Sequence, residues 1–246
     1  MSLGGSVRAA VSIAAAFLVV GFCVSAGPGC AADDDDARFI VFSGRDLWRN
    51  GIFAHGGLLM APGGFDQDGL LLKVLLSGGL YRYNAGDLGG ETVIGAEWLA
   101  QVLPGWRIKR GSAEFKFFVG PDIQRHRLWP DDPGNQLRGS SFGLRMAAEL
   151  WYELTATTLI AGDASLSSIA TSNSARMAYG WRVFEKIYAG PETQVIASDG
   201  YRQLRFGVHF TTMKAERHEW SAGTGFARDS DHRSGLYLRV GVMTRL

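Results

Sequence analysis

The chain has 246 residues, and its 25 Lys and Arg nearly balance 24 Asp and Glu, so it carries no charge excess that a nucleic-acid partner would call for. Glycine is abundant at 33 residues and proline sparse at 7, which suits short segments joined by Gly-rich turns better than a helical bundle. The length suffices for one all-β barrel or sandwich and does not require a second domain.

The chain opens with Arg8 followed by the uncharged apolar run Ala9 to Val24, the pattern of an export signal. Small residues at Val24-Ser25-Ala26 and at Cys30-Ala31-Ala32 allow cleavage after Ala26 or Ala32, and the second is preferred. Residues 1–32 are thus expected to be a signal peptide, 33–37 an acidic tail led by Asp33 to Asp36, and 38–246 a single domain. Both cysteines, Cys23 and Cys30, precede that cleavage point, which leaves the exported protein without disulfides or Cys metal ligands. Gly27-Pro28-Gly29 lacks the aliphatic residue that would mark Cys30 for lipidation. Beyond Val24 no apolar run is long enough for a membrane helix, so spanning a bilayer would need a closed barrel.

From Arg38 onward the dominant signal has period two. Phe142, Leu144, Met146, Ala148, Leu150 and Tyr152 oppose Ser141, Gly143, Arg145, Ala147, Glu149 and Trp151. Leu204, Phe206, Val208 and Phe210 oppose Gln203, Arg205, Gly207, His209 and Thr211. In the last segment Leu236, Leu238, Val240, Val242, Thr244 and Leu246 oppose Tyr237, Arg239, Gly241, Met243 and Arg245. Runs of this kind lie near 38–44, 50–61, 69–83, 91–103, 112–124, 138–152, 154–166, 175–184, 185–195, 201–213, 216–228 and 235–246. An export signal together with two-faced strands of about ten residues favours an antiparallel up-and-down β-barrel of about 12 strands, outer-membrane type, with charged faces lining the lumen. A soluble periplasmic β-protein that binds glucan is the alternative that periodicity alone leaves open.

A short repeat at a spacing of 70 residues ties Lys116, Phe118, Gly120, Pro121, Asp122 and Gln124 to Lys186, Tyr188, Gly190, Pro191, Glu192 and Gln194. Alternation puts Lys, aromatic, Gly, acid and Gln on one face and proline on the other, where a proline is expected at a strand end, an edge or a bulge. The candidate lumen and glucan-binding residues are Lys116, Asp122, Gln124, Arg145, Glu149, Trp151, Lys186, Glu192 and Gln194. Sugar rings lay their apolar faces on Trp or Tyr while their hydroxyls pair with acids, amides and Arg, and Trp151 sits on a charged face. The other tryptophans fit interfacial positions at segment ends or a core.

No catalytic motif emerges. The five histidines, His55, His126, His209, His218 and His232, lack metal-ligand spacing, and no nucleophile elbow, phosphate loop or dinucleotide fingerprint is present. Glu97, Asp122, Glu149 and Glu192 could supply an acid pair for glycoside chemistry only at a separation that sequence does not give. No cofactor or metal is expected. A barrel enzyme modifying lipid or exopolysaccharide, with His209 and carboxylates in acid/base roles, is the enzymatic alternative.

The stretch Gly120-Pro121-Asp122-Ile123-Gln124-Arg125-His126-Arg127-Leu128-Trp129-Pro130-Asp131-Asp132-Pro133-Gly134-Asn135, followed by Leu137-Arg138-Gly139, resembles the central segment of BcsS proteins of bacterial cellulose biosynthesis. Phe42 to Trp48, Asp68 to Lys73, Gly79 to Tyr83 and Glu149 to Tyr152 extend the likeness, with Trp129 standing where a small residue is expected. The resemblance implies a non-enzymatic accessory protein of cellulose synthesis and export in the periplasm or outer membrane of a Gram-negative bacterium. Its implied partners are the cellulose glucan chain or export components, and outer-membrane lipid. Physically, Pro130 to Asn135 reads as a rigid turn in which prolines fix φ, Asp and Asn cap nearby amides and Gly134 permits positive φ.

Overall fold

A computed structural model describes residues 37–246 except 185, 186, 199 and 216. The proposed signal and the acidic run therefore lie outside the described residues, as does Lys186. The first six strands are β1 (Phe39–Trp48), β2 (Gly51–Met60), β3 (Gly69–Ala85), β4 (Glu91–Arg110), β5 (Ala113–Trp129) and β6 (Gly139–Thr155). They are followed by β7 (Thr158–Ser167), β8 (Asn173–Phe184), β9 (Ile187–Ser198), β10 (Tyr201–Ala215), β11 (His218–Asp229) and β12 (Ser234–Arg245). Each strand pairs antiparallel with its sequence neighbours, and β12 returns to β1 with Ile40 opposite Arg245, closing a 12-strand barrel. Closure leaves no strand edge without a partner.

The two faces are inverted relative to a water-soluble barrel. Phe142, Leu144, Leu204, Phe206, Phe226 and Leu236 are exposed on the outer wall, while Arg205, His209, Asp122 and Glu192 are buried inside. This is the polarity of an outer-membrane-type barrel. Trp106, Trp181 and Trp220 are exposed on the outer wall toward the end that holds the two termini, as expected for an interfacial girdle.

Strand existence follows the period-two pattern, but several strands are longer than the sequence pattern suggests. β4 continues through Pro104 to Arg110, and β5 continues through Pro121 to Trp129. The prolines of the 70-residue repeat are not at strand ends or edges. The β4–β5 ladder runs Gln101 opposite Asp122, then resumes at Gly105 opposite Phe118 without a register change. The β8–β9 ladder likewise passes from Ala178 opposite Glu192 to Trp181 opposite Ala189. Proline removes a ladder donor, and the strands tolerate it by skipping pairs locally while the side-chain alternation is kept.

The termini end is filled from within. Residues 61–68 between β2 and β3 place Phe65 in a buried apolar cluster with Ile40, Leu59, Leu71, Leu103 and Phe118. Ala37, ahead of β1, is buried in the same cluster. Gly64 adopts φ +86° in that connection, a conformation that glycine takes without a Cβ penalty. The connection is held by Arg107 of β4, 1 % exposed, whose guanidinium donates to the carbonyls of Gly64, Phe65 and Gln67 and stacks over the Phe65 ring at 5.5 Å.

At the opposite end the longest connection, 130–138, turns over the mouth. Tyr83 Oη donates to Asp132 Oδ2 at 2.6 Å and accepts from Asn135 Nδ2 at 2.7 Å. Asn135 also accepts from the Leu137 amide at 2.9 Å, the local capping anticipated for this turn. Gly134 does not take a positive φ; a Cβ there would instead run into the Asp87 carboxylate.

Candidate functional site: the polar lumen and its mouth

Alternation places Lys116, Asp122 and Gln124 of β5, Arg145, Glu149 and Trp151 of β6, and Glu192 and Gln194 of β9 on the lumen side. They do not form one ring. Glu149 lies between two ammonium groups, Lys73 Nζ at 2.5 Å and Lys116 Nζ at 3.5 Å, and Lys116 also pairs with Glu114 at 2.7 Å. Asp122 forms a second node: it accepts from Ser167 Oγ at 2.6 Å and Gln124 Nε2 at 2.9 Å, and pairs with Arg145 at 3.0 Å. Glu192 forms a third, with Arg239 at 2.6 Å, Tyr237 Oη at 2.9 Å and Arg176 at 3.5 Å. Gln194 reaches Arg205 at 3.4 Å.

Several contributors were not singled out from sequence. Asp46 of β1 receives Arg205 of β10 through two bonds of 2.6 and 2.9 Å, and Arg205 is 2 % exposed. Lys73 of β3 meets Glu149 of β6, and Glu192 of β9 meets Arg239 of β12. Each of these pairs bridges strands three apart in the barrel order. The face of Arg205, Tyr237 and Arg239 was legible, but which cation meets which acid depends on barrel closure. Each carboxylate node is neutralised by at least one cation, as buried charges require.

Trp151 packs edge-on to Tyr188, with ring centroids 6.5 Å apart, beside buried Leu159 and Ala161. On its other side it stands opposite Glu114 of the Lys116 node in the β5–β6 ladder. His209 is 1 % exposed, and both ring nitrogens are engaged, Nδ1 with Thr211 Oγ1 at 2.9 Å and Nε2 with the Tyr179 carbonyl at 3.3 Å. Among the described residues no group of three His, Cys, Asp or Glu side chains is placed to hold a metal ion.

The mouth opposite the termini differs from the rest of the lumen. Five buried side-chain polar atoms lack a protein partner among the described residues: Asn50 Nδ2, Asp132 Oδ1, Ser172 Oγ, Ser198 Oγ and Gln203 Nε2. All five belong to residues at this end. An open depression of about 730 Å³ lies at the rim here, lined by Gln136, Ser198, Tyr201 and Asp229 together with the outward-facing Arg202, Leu204 and Arg228.

A closed antiparallel barrel with an apolar wall, a charged interior and a polar mouth defines a protein of the outer-membrane barrel class. Solved structures agree on the fold. An outer membrane channel from Pseudomonas putida F1 aligns at TM-score 0.57 and 11% identity, covering 89% of this chain and 100% of that one. The β domain of the Bordetella autotransporter BrkA aligns at TM-score 0.53 and 9% identity, covering 85% and 99%. The chain belongs to the cellulose biosynthesis protein BcsS family, whose model matches residues 40–246. No curated protein matches the sequence.

Proposed function

We propose that this protein is a non-enzymatic barrel of the outer membrane, exported by its N-terminal segment, that assists bacterial cellulose biosynthesis by engaging the glucan at its loop-side mouth. The observation that carries this reading is the confinement of the unpartnered buried polar atoms to that mouth, from Asn50 to Gln203. Buried polar groups ordinarily find hydrogen-bond partners, and a polyhydroxylated chain supplies donors and acceptors together. Tyr201 adds an aromatic ring to the same depression.

Two further features favour a receiving site over a wide passage. Ion pairs bridge the lumen at several points, and Arg107 fastens residues 61–68 inside the termini end. Asp122, Glu149 and Glu192 are engaged by Lys, Arg and Tyr, and His209 is committed on both nitrogens, which favours a binding role over acid/base chemistry for these groups.

Deleting the gene and staining colonies for cellulose tests the role, together with fractionation and titration of the purified barrel with cellohexaose. The reading expects altered cellulose amount or texture, retention with carbonate-washed outer membranes, and saturable binding. Unchanged polymer, release as a soluble protein, or glucan hydrolysis by the purified barrel would each overturn it.

A further inference from the structure

The lumen absorbs all the acidity of the strands. Asp46, Glu91, Glu97, Glu114, Asp122, Glu149, Glu153, Asp163, Glu192, Glu219 and Asp229 all fall on the inward-facing set of their strands. The outer wall of the described strands therefore carries no carboxylate. It does carry arginines: Arg202 and Arg228 on β10 and β11, and a larger group on β1–β5.

On the β1–β5 sector Arg45, Arg82, Arg125 and Arg127 are exposed on the outer set, toward the loop-side end. At the termini end the corresponding wall of β4 offers Arg110, which is neutralised by Asp68 at 2.7 Å. Arg125 and Arg127 have no ion-pair partner among the described residues, and Arg82 is steadied from behind by Asn50 Oδ1 at 3.0 Å and the Arg49 carbonyl at 3.1 Å.

The registers give the layout. One continuous row across five strands reads Arg45, Ala54, Gly78, Trp98 and Arg125. The next row toward the loops reads Leu47, Ile52, Leu80, Ala96 and Arg127, and beyond it Arg82 stands beside Ile94 and Trp129. Ala54 and Gly78 give the middle a shallow floor between Arg45 and the exposed indole of Trp98. Adjacent strands are about 4.8 Å apart, so Arg45 and Arg125 flank a span of roughly 19 Å. On the other side of the row lie exposed apolar residues, including Leu76, Ile123 and Val102.

An arginine on a lipid-facing wall is costly at the bilayer centre and nearly free of cost at the interface, so these positions mark headgroup level. The short turns 111–112 and 156–157 lie at the termini end and the longest loop, 130–138, at the other, which assigns the arginines to the outer leaflet. Guanidinium groups match phosphate oxygens in bidentate geometry, and a basic cluster beside an apolar wall suits a ligand with anionic head and acyl tails.

From this layout we propose that the outer wall of β1–β5 around Arg45, Arg82, Trp98, Arg125 and Arg127 is a binding site for a phosphate-bearing lipid headgroup of the outer leaflet. Acyl chains lie on the Leu76, Val102 and Ile123 side, and the phosphates sit against the guanidinium groups. This site is on the opposite side of the wall from the lumen and is independent of the glucan reading.

The test uses the purified full-length protein in a neutral maltoside detergent, titrated with bisphosphorylated lipid A, with dephosphorylated lipid A and with inorganic phosphate, read by native mass spectrometry. Saturable binding of the phosphorylated lipid is expected, with dephosphorylated lipid and free phosphate far weaker. R125Q/R127Q is expected to weaken it roughly tenfold or more, R125K/R127K to restore part of it, and R110Q at the termini end of the same wall to leave it near the wild-type value. Heat-modifiable gel mobility verifies that each variant is folded, and these exposed substitutions leave the lumen network untouched. Equal binding of dephosphorylated lipid, full competition by inorganic phosphate, unchanged binding in R125Q/R127Q, or a wild-type dimer that R125Q/R127Q dissolves would overturn the proposal.

Discussion

His209 Nε2 lies 3.3 Å from the carbonyl oxygen of Tyr179, across a point where the β8–β9 ladder has lost a donor. Pro191 stands opposite Tyr179 by the surrounding register and has no N–H to give. A carbonyl can only accept, so Nε2 carries the proton, while Nδ1 faces Thr211 Oγ1 at 2.9 Å. The imidazole of β10 therefore repairs a defect that a mid-strand proline creates two strands away.

His209→Ala removes that donor and leaves a buried carbonyl without a partner, a loss of about 1–3 kcal/mol. The heat-modified gel transition should move to lower temperature. His209→Gln, which can still donate, should recover part of the shift. A loss of glucan binding with unchanged thermal stability would assign His209 to the ligand instead.

Asp46 and Arg205 give a sharper case, because Arg205 is nearly fully buried and Asp46 is its acidic partner. Asp46→Asn leaves the guanidinium without its carboxylate, beside Gln203, Gln194 and the Tyr237 ring, and breaking a buried pair in this way costs about 3 kcal/mol or more. Replacing both members, as in D46N/R205M, removes the uncompensated charge and should be milder than D46N alone. Denaturant midpoints of D46N, R205M and D46N/R205M against the wild type measure the order; a double variant as unstable as the sum of the singles would show that the pair is not coupled.

Arg107 holds residues 61–68 inside the termini end through carbonyls of Gly64, Phe65 and Gln67. Arg107→Ala should release that connection, seen as protease cleavage within 61–68 and as higher conductance in planar bilayers than the wild type. Equal conductance and equal protection would mean that the apolar packing of Phe65 suffices.

Asp68 lies outside the strands, where the Lys109 amide and Arg110 hold its carboxyl below the ordinary value of 3.8. A depressed carboxylate contributes stability that is fully present above 3.8 and is lost as pH falls through its lower folded value. The Lys109 amide chemical shift should therefore stay constant from neutral pH to about pH 4 and titrate only below it. A midpoint above 3.8 would contradict the bond geometry.

The barrel was legible because alternation repeats in every strand: Phe142 with Leu144 outward and Arg145 with Glu149 inward fix both the face and, by extension, the fold. The ion-pair partners were not legible. Lys73 and Glu149, or Asp46 and Arg205, are brought together by closure across strands far apart in sequence, and no local spacing records that. Pro104, Pro121 and Pro191 misled at the level of strand ends because a barrel can skip a pair without ending a strand. The inward fold of 61–68 was also hidden: a Gly- and Asp-containing stretch reads as a surface turn until Arg107 is placed beneath it.

The mouth offers the most direct functional contrast. Gln203 Oε1 accepts from Arg205 Nε at 2.8 Å, which orients the amide and leaves Nε2 buried without a protein partner. Asp132 is held the same way, with Oδ2 on Tyr83 and Oδ1 unpartnered. Such half-used polar groups suit hydroxyls of a bound sugar, whereas Trp151 is packed against Tyr188, Leu159 and Ala161. Gln203→Leu and Asp132→Leu should each weaken cellohexaose binding by about 1–3 kcal/mol if the glucan uses those atoms. Trp151→Ala should lower thermal stability by about 3 kcal/mol and leave the affinity of the remaining folded protein nearly unchanged. Isothermal titration beside thermal melts separates the two effects. Affinity lost only in Trp151→Ala would move the glucan from the mouth into the lumen.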